Sequence, residues 1–285
     1  VRPFRPDSPV KLALGNTTYD VTTTALVMGV LNRTTDSFFS PAATFEMDDL
    51  LARADRLVAD GADLLDVGGV RAGPGPEVTE AEELDRVVPV VEALHDRFAA
   101  PLSVDTWRAP VAAASFAAGA VLGNDISGFA DPGYLPAAVA AGASVVATHI
   151  RLQPRVPDPA PVYGDVVATV RDVLLEKARE AVASGIPAEG VLVDAGLDLG
   201  KTPAQSLALL RASDELAALG FPVLLSASNK RFLGETLGLE LHARNDASLA
   251  AAALGMALGC RVVRVHDVRG TVRVRDAVAS VLEAA

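Results

Sequence analysis

The chain has 285 residues, half of them hydrophobic, with 25 Lys and Arg against 36 Asp and Glu, a formal charge of −11. Such a field repels polyanions and argues against nucleic acid or an anionic membrane surface as the partner, while leaving room for a local basic pocket around one small phosphate ester. The single Cys260 excludes an internal disulfide and a Cys-rich metal site. With no signal peptide read at the start and no apolar run of about 20 residues, a cytoplasmic protein is expected.

The length suits one domain, 1–285, built as a (β/α)8 TIM barrel, for which about 250 residues is usual. Residues 1–24 read as an N-terminal extension and hairpin. Leu12 and Leu14 alternate with polar neighbours, Gly15 and Asn16 make a turn, and Tyr19 and Val21 alternate again, predicting a β-hairpin over the N-terminal mouth of the barrel. Short β-branched runs follow at 25–31, 64–67, 102–104, 120–122, 144–147, 191–193, 223–225 and 262–265. Between them lie helical patterns at 47–60, 80–97, 110–118, 164–184, 204–219 and 248–258. This alternation predicts a parallel sheet with crossover helices, and glycines such as Gly119 and Gly259 stop the helices. Eight such units favour a closed barrel over its rival, a doubly wound open sheet. The stretches 41–45, 70–76 and 151–161 read as loops, the last proline-rich and either mobile or a lid.

Chemistry in such barrels sits at the C-terminal ends of the strands, and every run here ends in polar residues. They are Asn32; Asp66 before Gly68; Asp105 and Thr106; Asn124 and Asp125; Thr148 and His149; Asp194; Ser226, Ser228 and Lys230; and Arg264 with His266. One Asp after a strand is more often a cap or turn residue, and Asp66 or Asp125 could be that. A full ring of such groups implies a ligand with many donors and acceptors. Asp105, Asn124 and Asp194 suit a flat nitrogen heterocycle, and Lys230, Arg264 and His266 suit an anionic tail.

These motifs resemble the dihydropteroate synthase family. The likeness runs from Val27 to the last helix and rests on residues 28–32 with 36–38, residues 66–69, Ser103 to Thr106, Asn124-Asp125, Asp194 with Gly200 to Thr202, Ser228 to Lys230 with Gly234, and Arg264 to Asp267. The resemblance implies a transferase that condenses a dihydropterin methyl pyrophosphate with p-aminobenzoate or another amine, releasing pyrophosphate. By the same resemblance, Asp105, Asn124, Asp194 and Lys230 hold the pterin; Asn32, Arg264 and His266 serve the pyrophosphate; and Asn32 serves its Mg²⁺. Lys230, Arg264 and His266 would be the catalytic set, working by positioning and charge stabilisation. A homodimer through the Ala-rich last helices is implied as well.

The departures from the family pattern cluster. Its Thr and Arg after the second strand are replaced by Ala72 and Gly73, its sixth-loop Phe by Leu199, and the small residue after the Lys by Arg231. In the first loop Thr35 stands for Pro. The pterin residues are intact while the amine site is altered, as in a diverged second copy carried beside the folate enzyme. Three alternatives remain open: a paralogue with little or no synthase activity, a pterin-binding module of the methyltransferase type, and a barrel acting on an unrelated phosphate ester. A nucleotide-binding loop at Ala195 to Thr202 is disfavoured, because Ala195 stands where Gly is required. Its plain reading is a helix N-terminus with Lys201 in the first turn. His95 and His242 read as surface residues, and Trp107 as lining the pocket mouth or packing in the core.

Overall fold

A computed structural model describes residues 3–32 and 47–284. The first-loop positions read above, including Thr35 and Asp36 to Phe38, lie outside the described residues. The chain opens with a hairpin, β1 (Lys11–Leu14) and β2 (Thr17–Asp20), paired antiparallel. The barrel strands are β3 (Leu26–Asn32), β4 (Leu64–Gly68), β5 (Leu102–Asp105), β6 (Leu122–Asp125), β7 (Ser144–Thr148), β8 (Val191–Asp194), β9 (Val223–Leu225) and β10 (Cys260–Val265). They close in the order β10-β3-β4-β5-β6-β7-β8-β9, which excludes the open doubly wound sheet.

The helices are α1 (Met47–Ala59), α2 (Glu80–Arg97), α3 (Ala109–Ala117), α4 (Tyr134–Ala141), α5 (Val166–Ala183), α6 (Pro203–Arg211), α7 (Ser213–Ala217), α8 (Arg231–Leu237), α9 (Asn245–Ala257) and α10 (Val268–Glu283). Local chemistry sets several of their ends. Thr79 and Glu82 form a reciprocal capping box at α2, and Thr202 and Gln205 form one at α6, where Pro203 takes the first position. The expected helix over 204–219 divides at Ala212, whose ψ of 22° leaves the helical range before α7 begins. The expected strand at 120–122 is instead β6, shifted to Leu122–Asp125. Polar Asn124 and Asp125 lie within the ladder because the barrel top is polar, so the strand outruns its apolar segment.

Strand side chains alternate between two faces, and here the faces separate cleanly. Val27, Leu65, Val67, Val104, Val145, Val193 and Val263 face outward against the helices. Leu26, Met28, Leu64, Leu122, Val146, Leu192, Leu224 and Val262 fill the interior, joined by Leu12, Leu14 and Val21 of the hairpin. The expected hairpin therefore plugs the barrel floor, and Ser144 Oγ donates to Ala13 O at 2.6 Å. Burying Leu12 and Leu14 stabilises the fold by about 2 kcal/mol each. Two residues further along the same inward faces stand Asp66, Asn124, Thr148, Asp194, Ser226 and Arg264. An apolar floor thus gives way within one layer to a polar rim.

Candidate functional site

The rim is organised by one guanidinium. Arg264 Nε donates to Asp66 Oδ2 at 2.5 Å, and Nη2 donates to Asp105 Oδ2 at 2.8 Å. Asp66 has no exposed surface; its Oδ1 also accepts from Ser103 Oγ at 2.6 Å, and Asn124 Nδ2 lies 3.4 Å from Oδ2. Glycine relieves crowding between the neighbouring side chains. A Cβ on Gly68 would stand 3.3 Å from Asn32 Oδ1 and 3.4 Å from Asp105 Cβ, so its absence lets β3 and β5 present Asn32 and Asp105 side by side.

Burial pushes the Asp105 carboxyl up to about 7, against the pull of Arg264 and with the help of Asp66. Burial also works against the charge on Arg264, but Asp66 and Asp105 outweigh it and hold its pKa above the ordinary value. Behind Asp105, buried Glu83 accepts from Thr106 Oγ1 at 2.7 Å and pairs with Arg108, whose Nη2 donates to Val78 O at 2.7 Å. Trp107 is half-buried, with the Arg108 guanidinium 5.5 Å from its ring centre.

The opposite side of the rim comes from β8 and the loop after it. Asp194 Oδ1 accepts from Gly196 N at 2.8 Å; burial raises its pKa and Lys230 pulls it back. Lys230 Nζ donates to Leu197 O at 2.6 Å; burial lowers its pKa while Asp194, Asp198 and Asp105 oppose. Asp105, Asp194, Lys230 and Arg264 therefore lie within one another's fields, and Asn124 pairs in register with Asp105. The four residues read as a ring-binding set stand at the same end of the barrel as Arg264.

Lys201 does something else. Its buried Nζ donates to Gly196 O at 2.8 Å, Leu199 O at 3.0 Å and His149 O at 3.2 Å, and sits 2.9 Å from His149 Nδ1. Burial brings Lys201 down to about 7, and burial with the Lys201 charge brings His149 down to about 3. The ammonium is consumed in folding its own loop and does not face a phosphate. Lys201 also precedes α6 rather than lying in its first turn, because Thr202 is the cap.

His266 lies exposed at the mouth, its Nδ1 3.0 Å from Ser228 Oγ. Partial desolvation, followed by the charges of Arg264 and Arg53, pushes it down to about 4, so the ring is neutral near pH 7. The four positions that depart from the family pattern are not all together. Ala72 and Gly73 stand on the loop after β4, and Leu199 on the loop after β8. Arg231 opens α8, largely exposed, and pairs with Glu235 at 3.1 Å on the helix surface. The 151–161 loop is held at several points. Arg155 N donates to Ala72 O at 3.1 Å, the Arg155 guanidinium bonds Pro76 O, and Arg151 pairs with Asp158. Tyr163, just beyond, donates to Gly200 O at 2.9 Å. The loop strapped this way bridges the loops after β4 and β8.

Asp66 was weighed as a turn or cap residue, yet it is the hub of the rim. The signal was available: Asp66 lies two residues beyond Leu64 on an inward face, as Asn124 lies beyond Leu122. Ser103 belongs to the matching segment Ser103 to Thr106, but nothing in the sequence assigns it its bond to Asp66. Asp125 is the turn residue, accepting from Ser127 N at 2.6 Å and Phe129 N at 2.8 Å, on the face opposite Asn124. His95 and His242 are exposed, as expected.

Residues 28–266 match the family of pterin binding enzymes. The chain is 45% identical to the inactive dihydropteroate synthase 2 of Mycobacterium leprae over 262 residues, covering 90% of each protein. It is 37% identical to the dihydropteroate synthase of Bacillus subtilis over 250 residues, covering 87% of this chain and 85% of that one. Among solved structures, the Yersinia pestis dihydropteroate synthase in a sulfonamide drug complex superposes with a TM-score of 0.91 at 38% identity, covering 97% of this chain and all of that one. The barrel, its rim of charged strand ends and these likenesses place the chain in the dihydropteroate synthase family, as a diverged paralogue.

Proposed function

We propose that the rim binds a dihydropterin methyl pyrophosphate and transfers its pterinylmethyl group to an amine. The observation that carries this reading is the convergence of Asp105, Asn124, Asp194 and Lys230 beside Arg264 at one mouth. The two carboxylates accept from the ring's N–H groups, while Asn124 and Lys230 donate to its oxygen and nitrogens. Arg264 and His266 receive the pyrophosphate tail, and Asn32 stands at the same edge.

The bond from the methylene carbon to the pyrophosphate oxygen breaks, its electron pair leaving on pyrophosphate. The ring's electrons stabilise the carbon until the amine lone pair forms the C–N bond and the amine gives up a proton. This chain's residues supply position and charge rather than a nucleophile. Arg264 is pre-organised for this by its two carboxylates and needs no reorganisation as charge develops on the leaving group.

Among the described residues no group of three His, Cys, Asp or Glu side chains could hold a metal ion. The amide oxygen of Asn32 fits Mg²⁺, which takes oxygen ligands and shares its shell with phosphate and water. When bound there, Mg²⁺ would neutralise charge on the pyrophosphate oxygens.

The amine subsite is the changed part. Ala72, Gly73 and Leu199 replace larger family side chains, a Cβ on Gly73 would meet nothing within 4 Å, and the strap from 151–161 is fastened beside Ala72. An acceptor other than p-aminobenzoate follows. A second reading, pterin binding with little or no turnover, is favoured by the 45% identity to proteins named inactive, against 37% to the Bacillus enzyme. No described helix is long and apolar enough to cross a membrane. A cytoplasmic homodimer through α9 and α10 is part of the proposal, supported by their small-residue faces and exposed Val281.

Calorimetry with pterin pyrophosphate and Mg²⁺ tests the binding half, and Asn124→Ala should abolish the signal by leaving ring groups unpaired. Dihydropteroate formation tests the acceptor half. A kcat/KM for p-aminobenzoate equal to that of an ordinary family member would refute the altered-subsite reading.

A further inference from the structure

At the opposite end of the barrel lies a cavity of about 420 Å³, between the N-terminal arm and the strand starts. The arm is fastened there by Phe4 N donating to Ala257 O at 2.9 Å. Gly259 permits the contact: its φ is 101°, and a Cβ there would meet the Phe4 ring and Ala217 at 2.7 Å. Phe4, Phe221 and Pro222 give the cavity an apolar wall. Asp7 and Glu189 also reach its lining, with Arg5 and Lys11, so the outer part is mixed in charge.

Arg261 lines the same cavity and is 2% exposed. Its Nη1 donates to Met256 O at 3.0 Å and Cys260 O at 3.1 Å, while Nε has no hydrogen-bond partner. Among the described residues no carboxylate pairs with it. Carrying an uncompensated guanidinium this deep is unfavourable, and folded chains avoid it unless a counter-ion arrives. A second feature points the same way. The pairing of β10 with β9 slips between Cys260 and Val262, making Arg261 the extra residue of a bulge. Bulges re-aim a side chain out of the regular alternation, and they are enriched beside sites. Arg261 lies three residue steps before Arg264, about 10 Å along the strand, so this cavity is distinct from the rim.

We propose that the cavity is a second binding site, for a small organic anion that joins a carboxylate or phosphate group to a flat apolar body. The anionic group pairs with Arg261, and the body lies against Phe4, Phe221 and Pro222. The inference is independent of what the rim binds.

The test is titration of the protein with benzoate, phenyl phosphate and inorganic phosphate at millimolar concentrations, followed by calorimetry and thermal shift. Because the rim also carries cations, the titration is run in parallel, at about pH 6 where both variants are checked to be folded, on Arg264→Met and Arg261→Met. The expected result is saturable binding of benzoate or phenyl phosphate that survives Arg264→Met and weakens roughly 10- to 100-fold in Arg261→Met, the loss of a charged hydrogen bond. Which of the two binds more tightly assigns the anionic group. Should Arg261→Met fail to fold, Phe4→Ala replaces it and should weaken the aromatic ligands alone. Binding lost in Arg264→Met and kept in Arg261→Met would overturn the proposal, as would no saturable binding. Inorganic phosphate binding as tightly as phenyl phosphate would overturn the apolar body.

Discussion

Replacing Arg264 by Met keeps much of the side-chain volume and removes the charge that holds two buried carboxylates. Two charge-assisted hydrogen bonds disappear, at 2.5 Å to Asp66 and 2.8 Å to Asp105. Breaking a buried ion pair from one side costs about 3–5 kcal/mol, because the remaining charge is left without compensation. The folded protein limits that loss by protonating a carboxylate. Asp105 already titrates at about 7 while Arg264 pulls it down and Asp66 pushes it up, so losing Arg264 raises it further. A carboxylate whose folded pKa is raised above its unfolded value is penalised progressively as pH rises, by about 1.4 kcal/mol per unit, and is unpenalised below the unfolded pKa. Arg264→Met should therefore lose about 4 kcal/mol at pH 8 but only about 1 kcal/mol at pH 6. Urea unfolding at the two pH values measures both numbers, and adding Asp66→Asn should restore at least about 1 kcal/mol at pH 8. An equal loss at both pH values, or a loss below about 1 kcal/mol at pH 8, would refute the account of Arg264 as the compensating charge.

The same Asp105 value makes pterin binding pH-dependent. A ring N–H needs the ionised carboxylate, so the Kd for 6-hydroxymethylpterin should weaken as pH falls below about 7, by up to about tenfold per unit, and level off above it; a Kd unchanged between about pH 6 and pH 8 would count against Asp105 as the acceptor. The Arg155 strap should order the loop after β4. Arg155→Gly removes the guanidinium bond to Pro76 O and relieves a φ of 67°, so amide exchange at 70–77 should quicken by roughly tenfold while global stability changes by less than about 1 kcal/mol. Unchanged exchange there would show that the loop after β4 is ordered by other contacts.

The barrel was legible because its two faces carry different chemistry at period two. Outward valines and inward leucines mark the strands, and the polar residue two positions past each inward leucine marks the rim. That rule finds Asp66 as readily as Asn124, and only when taken singly does Asp66 look like a turn residue. What could not be read was the employment of each charge. Lys201 sits in a motif that suggests phosphate, but its Nζ is consumed by three carbonyl groups brought together by a left-handed Gly196 and Asp198. Arg231 looks like an intruder in the amine pocket, yet its i,i+4 position toward Glu235 takes it to the helix surface. The 151–161 loop reads as a lid by composition. That Arg155 fastens it to Ala72 and Pro76 is a long-range contact, and no local pattern encodes it.

The division between the intact and altered parts of the rim has a structural cause. Asp66, Asp105, Asn124, Asp194 and Arg264 stand on strands whose backbones are fixed on both sides by the ladder. Asp66, Asp105, Asn124 and Arg264 are tied to one another and Asp194 to Gly196 N, so changing any of them leaves a buried charge or donor unpaired, at about 1–3 kcal/mol for a neutral group and more for an ion. Ala72, Gly73 and Leu199 stand on loops, where a substitution disturbs no ladder and strands no buried charge. A diverged paralogue can therefore drift at the loop positions while the strand-end positions are kept by stability alone. On this argument the intact ring set is weak evidence of turnover, because the Arg264 knot would be retained for folding even in a protein that had lost its acceptor. The discriminating residues are those with little structural stake. His266, exposed and bonded to Ser228, is a rim residue with little such stake. Under the proposed function, His266→Ala should therefore weaken pterin pyrophosphate more than 6-hydroxymethylpterin while leaving stability within about 0.5 kcal/mol, and equal weakening of both ligands would count against an anionic tail at this position.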